Sequence, residues 1–219
     1  MNTAGPPYRN VIFDLDGTLV DSRPGIFAGI HHMMGRLGHD LPADAELDWL
    51  IGPPIDEAFA RLLGRFGDDR VALAVATYRE HYSSIGLFDV SPYDGIPDLL
   101  DDLADRGQTL LVATSKLVTY ARRVLDHVGL TDRFAGIHGA EPDGRFRAKG
   151  DLLRHVIRSR ALDPAATVMV GDREHDVRGA LANVLAVVAV TYGYGTAEEL
   201  RSAGASVLCD EVPRLREFL

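Results

Sequence analysis

The sequence predicts an α/β fold: a parallel sheet covered by helices on both faces, carrying a small all-helical insert. Three observations predict it. Short apolar runs alternate with amphipathic helical stretches along most of the chain, the pattern of buried parallel strands. The alternation stops once, between Asp21 and about Asp89, where no convincing strand occurs. The first apolar run, Val11-Ile12-Phe13, runs straight into two aspartates one residue apart, Asp14 and Asp16.

The strands expected are Asn10–Phe13, Thr109–Ala113, Gly136–His138, Thr167–Val170, Leu185–Val190 and Ser206–Leu208. "GIPDLLDDLADRG" sets Ile96, Leu99, Leu100 and Leu103 on one helical stripe and stops at Gly107, a favourable residue past a helix end. "LVTYARRVLDHVGL" follows the second strand. "KGDLLRHVIRSRAL" places Leu152, Leu153, Val156 and Ile157 on one face of a helix from Ala148 to Arg160, and "EHDVRGALANV" follows the Thr167 strand. In the insert the helices expected are Pro24–Leu37, Ala43–Ile51, Ile55–Leu63 and Arg70–Gly86, punctuated at "GHDLP", "GPP" and "GRFGDD". The division is therefore 1–21 and 89–219 for the α/β core and 22–88 for a helical cap. A cap inserted after the first strand would cover the carboxyl ends of the strands, where open parallel sheets bind ligands. Its hinges are expected at Asp21–Pro24 and Val90–Asp94.

Composition narrows the function. The chain has 219 residues, ample for a core plus an insert. Net charge is −9 and the basic residues are dispersed, which argues against a nucleic-acid surface. One cysteine, Cys209, allows no intrachain disulfide and suits a reducing cytoplasm. "MNTAGPPYR" has no apolar core of a signal peptide, and the longest apolar run, "VLAVVAVTY", has the length of a strand rather than a membrane span. Of 23 basic residues only Lys116 and Lys149 are lysines. A lysine here is a candidate for a position that wants a compact, rotatable charge.

Two carboxylates at a strand end repel unless something compensates them. The other strand ends supply the means. Thr114-Ser115-Lys116 offers hydroxyls and backbone N–H groups at an expected helix start, a place for an oxyanion. "GDREHD" places Asp172 in a loop and Asp176 about one helical turn on, both able to face Asp14. Lys149 opens its own helix. Clustered carboxylates with oxygen ligands select a hard cation, Mg²⁺ above others. Asp14 could then attack phosphorus, Asp16 exchange protons with leaving group and water, and Thr114 and Lys149 stabilise the transferring phosphoryl group.

These four segments, in this order, resemble the haloacid dehalogenase superfamily. Asp14-Leu15-Asp16-Gly17-Thr18 is similar to its first motif, Thr114 to the second, Lys149 to the third, and Gly171-Asp172 with Asp176 to the fourth; the resemblance spans about Asn10 to Leu208. It implies a Rossmann-like core with a small helical cap. It also implies that Asp14 is the nucleophile and Asp16 the acid/base. Thr114, Ser115, Lys149, Gly17 and Thr18 would contact phosphate. Mg²⁺ would be held by Asp14, the Asp16 backbone carbonyl and Asp172, with Asp176 orienting Lys149 or water on the metal. One departure is Gly150, where many relatives have proline after the lysine; Arg145 and Arg147 are nearby basic alternatives to Lys149.

Residue types separate the members. Dehalogenases lack an acid/base like Asp16. Phosphonate-cleaving relatives need a cap lysine, and the cap has none. A sugar-phosphate mutase is the alternative to a hydrolase: it needs extra cations in the cap, where Arg23, Arg36, Arg61, Arg65, Arg70 and Arg79 lie. A response-regulator-like phospho-switch would need neither Asp16 nor a lid. The simplest expectation is a cytoplasmic Mg²⁺-dependent phosphatase. "IGPPIDEAF" and "GLFDVSPYDGIPDLLDDL" resemble phosphoglycolate phosphatases and 5′-nucleotidases, an analogy that sets no substrate. The partner expected is a small phosphorylated metabolite, with neither nucleic acid nor membrane, for a monomer or homodimer. Gly52-Pro53-Pro54 is expected to hang over the nucleophile. Lys116 and His175 are expected in solvent, His31 and His32 at the surface or the cap interface, Trp49 in the cap core and Cys209 in the main core.

Overall fold

The computed structural model describes residues 8–219; residues 1–7, most of the segment considered as a leader, lie outside them. The chain opens with β1 (Asn10–Phe13) and β2 (Val20–Asp21). Three helices follow: α1 (Arg23–Leu37), α2 (Ile55–Gly64) and α3 (Val71–Ser84). Then come β3 (Ser91–Pro92), α4 (Ile96–Asp105), β4 (Thr109–Leu117), α5 (Val118–His127) and β5 (Gly136–Ala140). The chain closes through α6 (Lys149–Ser159), β6 (Thr167–Gly171), α7 (Glu174–Ala182), β7 (Ala186–Val190), α8 (Ala197–Ser202) and β8 (Val207–Cys209).

Six strands form a parallel sheet in the order β5-β4-β1-β6-β7-β8. Alternation along β1 divides the core. Val11 and Phe13 join the cluster under α4 and α5, whereas Ile12 packs on the opposite face with Leu152 and Val156 of α6 and Val177 of α7. Both faces are buried, so the strands read as unbroken apolar runs. Phe13 is in register with Val112 of β4 and Val170 of β6. Asp14 therefore leaves the central strand between the chain segments that carry Thr114 and Asp172. No helix among the described residues is long and apolar enough to cross a membrane.

Two expectations need correction. Ala43–Ile51 is not a helix; only Asp48–Leu50 forms a single 3₁₀ turn. "PADAELDWL" lacks a continuous apolar stripe to dock, and a short helix without one does not sustain itself. The last cap helix ends at Ser84, with a separate 3₁₀ turn over Gly86–Phe88. The two chain crossings between core and cap, where the hinges are expected, run side by side: Val20 and Asp21 pair antiparallel with Pro92 and Ser91. Beside this ribbon, α1 crosses the second 3₁₀ turn so closely that a Cβ on Gly25 would lie 1.8 Å from the Gly86 carbonyl oxygen. Only glycine allows that approach.

Candidate active site

Asp14 sits at the carboxyl end of the central strand. Its Oδ1 accepts a hydrogen bond from Lys149 Nζ at 2.9 Å, and the same ammonium donates to the Ala113 carbonyl at 2.9 Å and lies 2.6 Å from Asp176 Oδ1. Lys149 opens α6, so backbone position alone delivers it to the sheet edge. Burial by itself would lower its pKa; Asp14 and Asp176 outweigh that and raise it. Arg145 and Arg147, the alternatives weighed from sequence, pair instead with Asp143 and Asp56.

Asp176 is held by its own helix. Its Oδ2 accepts from the Arg173 N–H at 3.1 Å, as an acid in a helix's first turn can. Gly171 makes room: a Cβ there would lie 2.4 Å from Asp176 Cγ. Asp172 is fully buried and accepts from Thr18 Oγ1 at 3.1 Å and from the Tyr194 N–H at 2.8 Å. Gly17, with φ +81°, and Gly193 both approach the Asp172 side chain closer than any Cβ would permit. Thr18 and Gly17 thus serve Asp172. Neither is among the residues lining the cavity described below. The loop Thr191–Gly195 carries no motif of the resemblance; its signal in the sequence is the doubled Tyr-Gly of "YGYG" just past a strand.

Carboxylate oxygens of Asp14, Asp172 and Asp176 lie within 4.8 Å of one another. Burial pushes the Asp14 carboxyl up to about 6, and burial with its acidic neighbours raises Asp172 well above the usual range. Of these three buried carboxylates, Asp14 and Asp176 share the Lys149 ammonium, and every candidate metal donor is an oxygen. That set carries excess negative charge and fits a hard divalent cation.

Asp16 turns away from this cluster. Its Oδ1 accepts from Ser22 Oγ and from Lys116 Nζ, each at 2.6 Å. Lys116 is not the solvated residue expected: its side chain is 8% exposed. Nor does a helix begin at Ser115. β4 runs to Leu117, and its pairing with β5 slips between Thr114 and Leu117, the irregularity that turns Lys116 inward. Thr114 is buried, and its hydroxyl accepts from the Lys116 N–H at 3.2 Å, leaving its own proton free to donate.

A cavity of about 740 Å³ opens over these groups, reaching Asp14, Asp16, Thr114, Ser115, Lys149 and Asp176. Gly52, Pro53 and Pro54 line it as well, with Gly52 against the Arg173 side chain. Arg173 donates to the Ile51 and Asp48 carbonyls and pairs with Glu199 at 2.8 Å, tying the fourth-motif loop to that turn. His175, expected in solvent, is half-buried on the cavity wall. His32 stacks on His81 at 4.4 Å within the helical insert. Trp49 is half-buried beneath Arg61 and Arg65, and Cys209 is fully buried as expected.

Residues 11–190 match the family model of haloacid dehalogenase-like hydrolases. The chain belongs to that family. It is 41% identical to a 5′-nucleotidase of Pseudomonas aeruginosa, covering 100% of this chain and 99% of the relative. It is 39% identical to the tyrosine-protein kinase PtkA of Mycobacterium tuberculosis, over 100% of this chain and 75% of that protein. A phosphoglycolate phosphatase of Rhodospirillum rubrum is 33% identical over 96% of this chain and 90% of its own length. Among solved structures, a predicted phosphatase from Clostridium acetobutylicum superposes with a TM-score of 0.89 at 36% identity, covering 96% of this chain and 97% of the other. This family member is an enzyme of the phosphoric monoester hydrolase class.

Proposed function

We propose that the chain is a Mg²⁺-dependent phosphatase that hydrolyses a small phosphate monoester through an aspartyl-phosphate on Asp14. The observation that carries this reading is the buried cluster of Asp14, Asp172 and Asp176, with Lys149 paired to Asp14 and Asp176, at the floor of a cavity that Asp14, Asp176 and Lys149 line. Asp14 attacks phosphorus, the bond to the leaving oxygen breaks, and Asp16 gives that oxygen a proton. Asp16 then takes a proton from water, which attacks phosphorus and frees Asp14. Thr114, Ser115 and Lys149 donate hydrogen bonds to the phosphoryl oxygens. Asp14 and Asp172, with the Asp16 backbone carbonyl, would hold Mg²⁺, whose charge offsets that of the phosphoryl group. Asp176 keeps Lys149 in place. Residues 22–88 act as the cap, closing the cavity against bulk water.

The mutase alternative needs cations in the cap. Of the six arginines weighed, only Arg79 lines the cavity. Arg23 pairs with Asp48, Arg61 and Arg65 lie on Trp49, and Arg70 pairs with Asp68. Hydrolysis is the reading these positions favour. The test is phosphate release from a panel of phosphorylated metabolites, with and without Mg²⁺, beside an Asp14→Asn variant. Release that needs both Mg²⁺ and Asp14 supports the reading. Release unaffected by Asp14→Asn would overturn it.

A further inference from the structure

We infer that the leaving group of the substrate is a planar aromatic ring system, seated against Tyr78, Tyr82 and Tyr120. The inference rests on the phosphatase reading and narrows its substrate class.

The direction of departure comes first. The leaving oxygen takes its proton from Asp16, so the leaving group lies on the Asp16 side of the phosphoryl site. Lys116 Nζ, 2.6 Å from Asp16, also stands 5.4 Å from the centre of the Tyr82 ring. The aromatic wall therefore begins one side chain away from the proton donor. It continues without a break. Tyr78 stacks on Tyr82 at 5.1 Å and 12°, Phe59 meets Tyr78 edge-on at 5.2 Å, and Tyr120 of the core meets Tyr82 edge-on at 6.0 Å. All four rings line the cavity, as do the aliphatic Ile26, Ile30 and Val75. Burial holds both cap phenols neutral, with their pKa values well above the usual one.

Size and charge agree. At about 740 Å³ the cavity is in the range that takes drug-sized ligands, roughly 300–1,000 Å³. A two-carbon acid would leave most of it empty. That acid would also want a cation for its carboxylate. The exposed Arg79 is the one cap arginine lining the cavity, and the core arginines there, Arg147 and Arg173, already pair with Asp56 and Glu199. A sugar would want several free hydrogen-bonding groups, whereas the cap side of the cavity presents mostly rings and aliphatic carbons, with Asp56, already paired to Arg147, and Arg79 as its charged groups. A flat ring gains from offset or edge contacts with such a wall. Both a nucleoside 5′-monophosphate and a plain aryl phosphate carry one.

The experiment compares kcat/KM of the full chain with Mg²⁺ on adenosine and uridine 5′-monophosphates, p-nitrophenyl phosphate, 2-phosphoglycolate and glucose 6-phosphate. The aromatic substrates are expected to lead the last two by at least tenfold. The nucleotide and nitrophenyl arms tell the two sources apart. Tyr82→Leu should shrink that lead about tenfold, the worth of one ring-on-ring contact. Adenosine, as the freed leaving group, should inhibit the wild type competitively, a readout independent of how any variant folds. Equal or better turnover of 2-phosphoglycolate or glucose 6-phosphate would overturn the inference and leave the phosphatase reading standing. No release from any compound would remove both.

Discussion

Lys116 Nζ donates to Asp16 Oδ1 at 2.6 Å, and Lys149 Nζ donates to Asp14 Oδ1 at 2.9 Å. The only two lysines of the chain thus answer the two aspartates of "DLD", one each. An ammonium on a flexible stem can follow a carboxylate that must move or change charge, which a planar guanidinium does less well. Lys116 acts through Asp16 and is a positioning residue. Lys116→Met is expected to lower kcat about ten- to a hundredfold with KM changed far less. Lys116→Arg should recover only part of the loss. Steady-state kinetics on any turned-over phosphate ester checks both.

Metal binding should be visible without turnover. A ligand at 100 times its Kd stabilises the native state by about 2.7 kcal/mol. For a chain of this size that is roughly 5–10 °C in melting temperature. Wild type should gain this on addition of millimolar Mg²⁺. Asp172→Asn should gain almost nothing, because the cluster of Asp14, Asp172 and Asp176 has lost one charged donor. An equal gain in both proteins would place the cation elsewhere.

Gly171→Ala tests the packing behind the site. Its Cβ would meet Asp176 Cγ at 2.4 Å, so Asp176 must shift and Lys149 loses one of its two carboxylate partners. Overpacking of this kind costs about 1–3 kcal/mol. The variant should stay folded by circular dichroism with a lowered melting temperature, and lose activity more than a hundredfold. Near-normal activity would show that Asp176 does not need its present place.

Acid should weaken the fold through His138. Burial, with Arg160, His155 and Arg122 nearby, pushes its pKa down to about 4 from the ordinary 6.5. Between those values the unfolded chain takes a proton that the native state refuses, so stability falls as pH drops through that window. Melting temperature should therefore fall less steeply from pH 6.5 to 4 in His138→Gln than in wild type. Parallel slopes would remove His138 from the acid response.

What the sequence discloses depends on whether the signal is contiguous. β1 and "DLDGT" lie in one run, and the order of elements points to the sheet, so Asp14, Asp172 and Lys149 are legible where the structure has them. Lys116 is not, because a lysine after a strand looks solvated; its burial follows from a slip in β4–β5 pairing that no local pattern encodes. Tyr194 is hidden because its N–H reaches Asp172 across 22 positions, a contact created by the neighbourhood of β6 and β7. The two-residue strands β2 and β3 are too short to show any period. Gly17 and Thr18 are legible as members of the site, but not their contacts to Asp172, which Gly17 packs against and Thr18 hydrogen-bonds across 154 positions.

The proposed mechanism turns on a phosphoryl group carried by Asp14. The direct measurement is a rapid acid quench of the enzyme during turnover of a radiolabelled phosphate ester in Mg²⁺, with mapping of the labelled peptide. The expected result is an acid-stable, base-labile label on the peptide that contains Asp14, absent in Asp14→Asn. Phosphate release with no label on the protein at any time point, or release that survives Asp14→Asn, would contradict it.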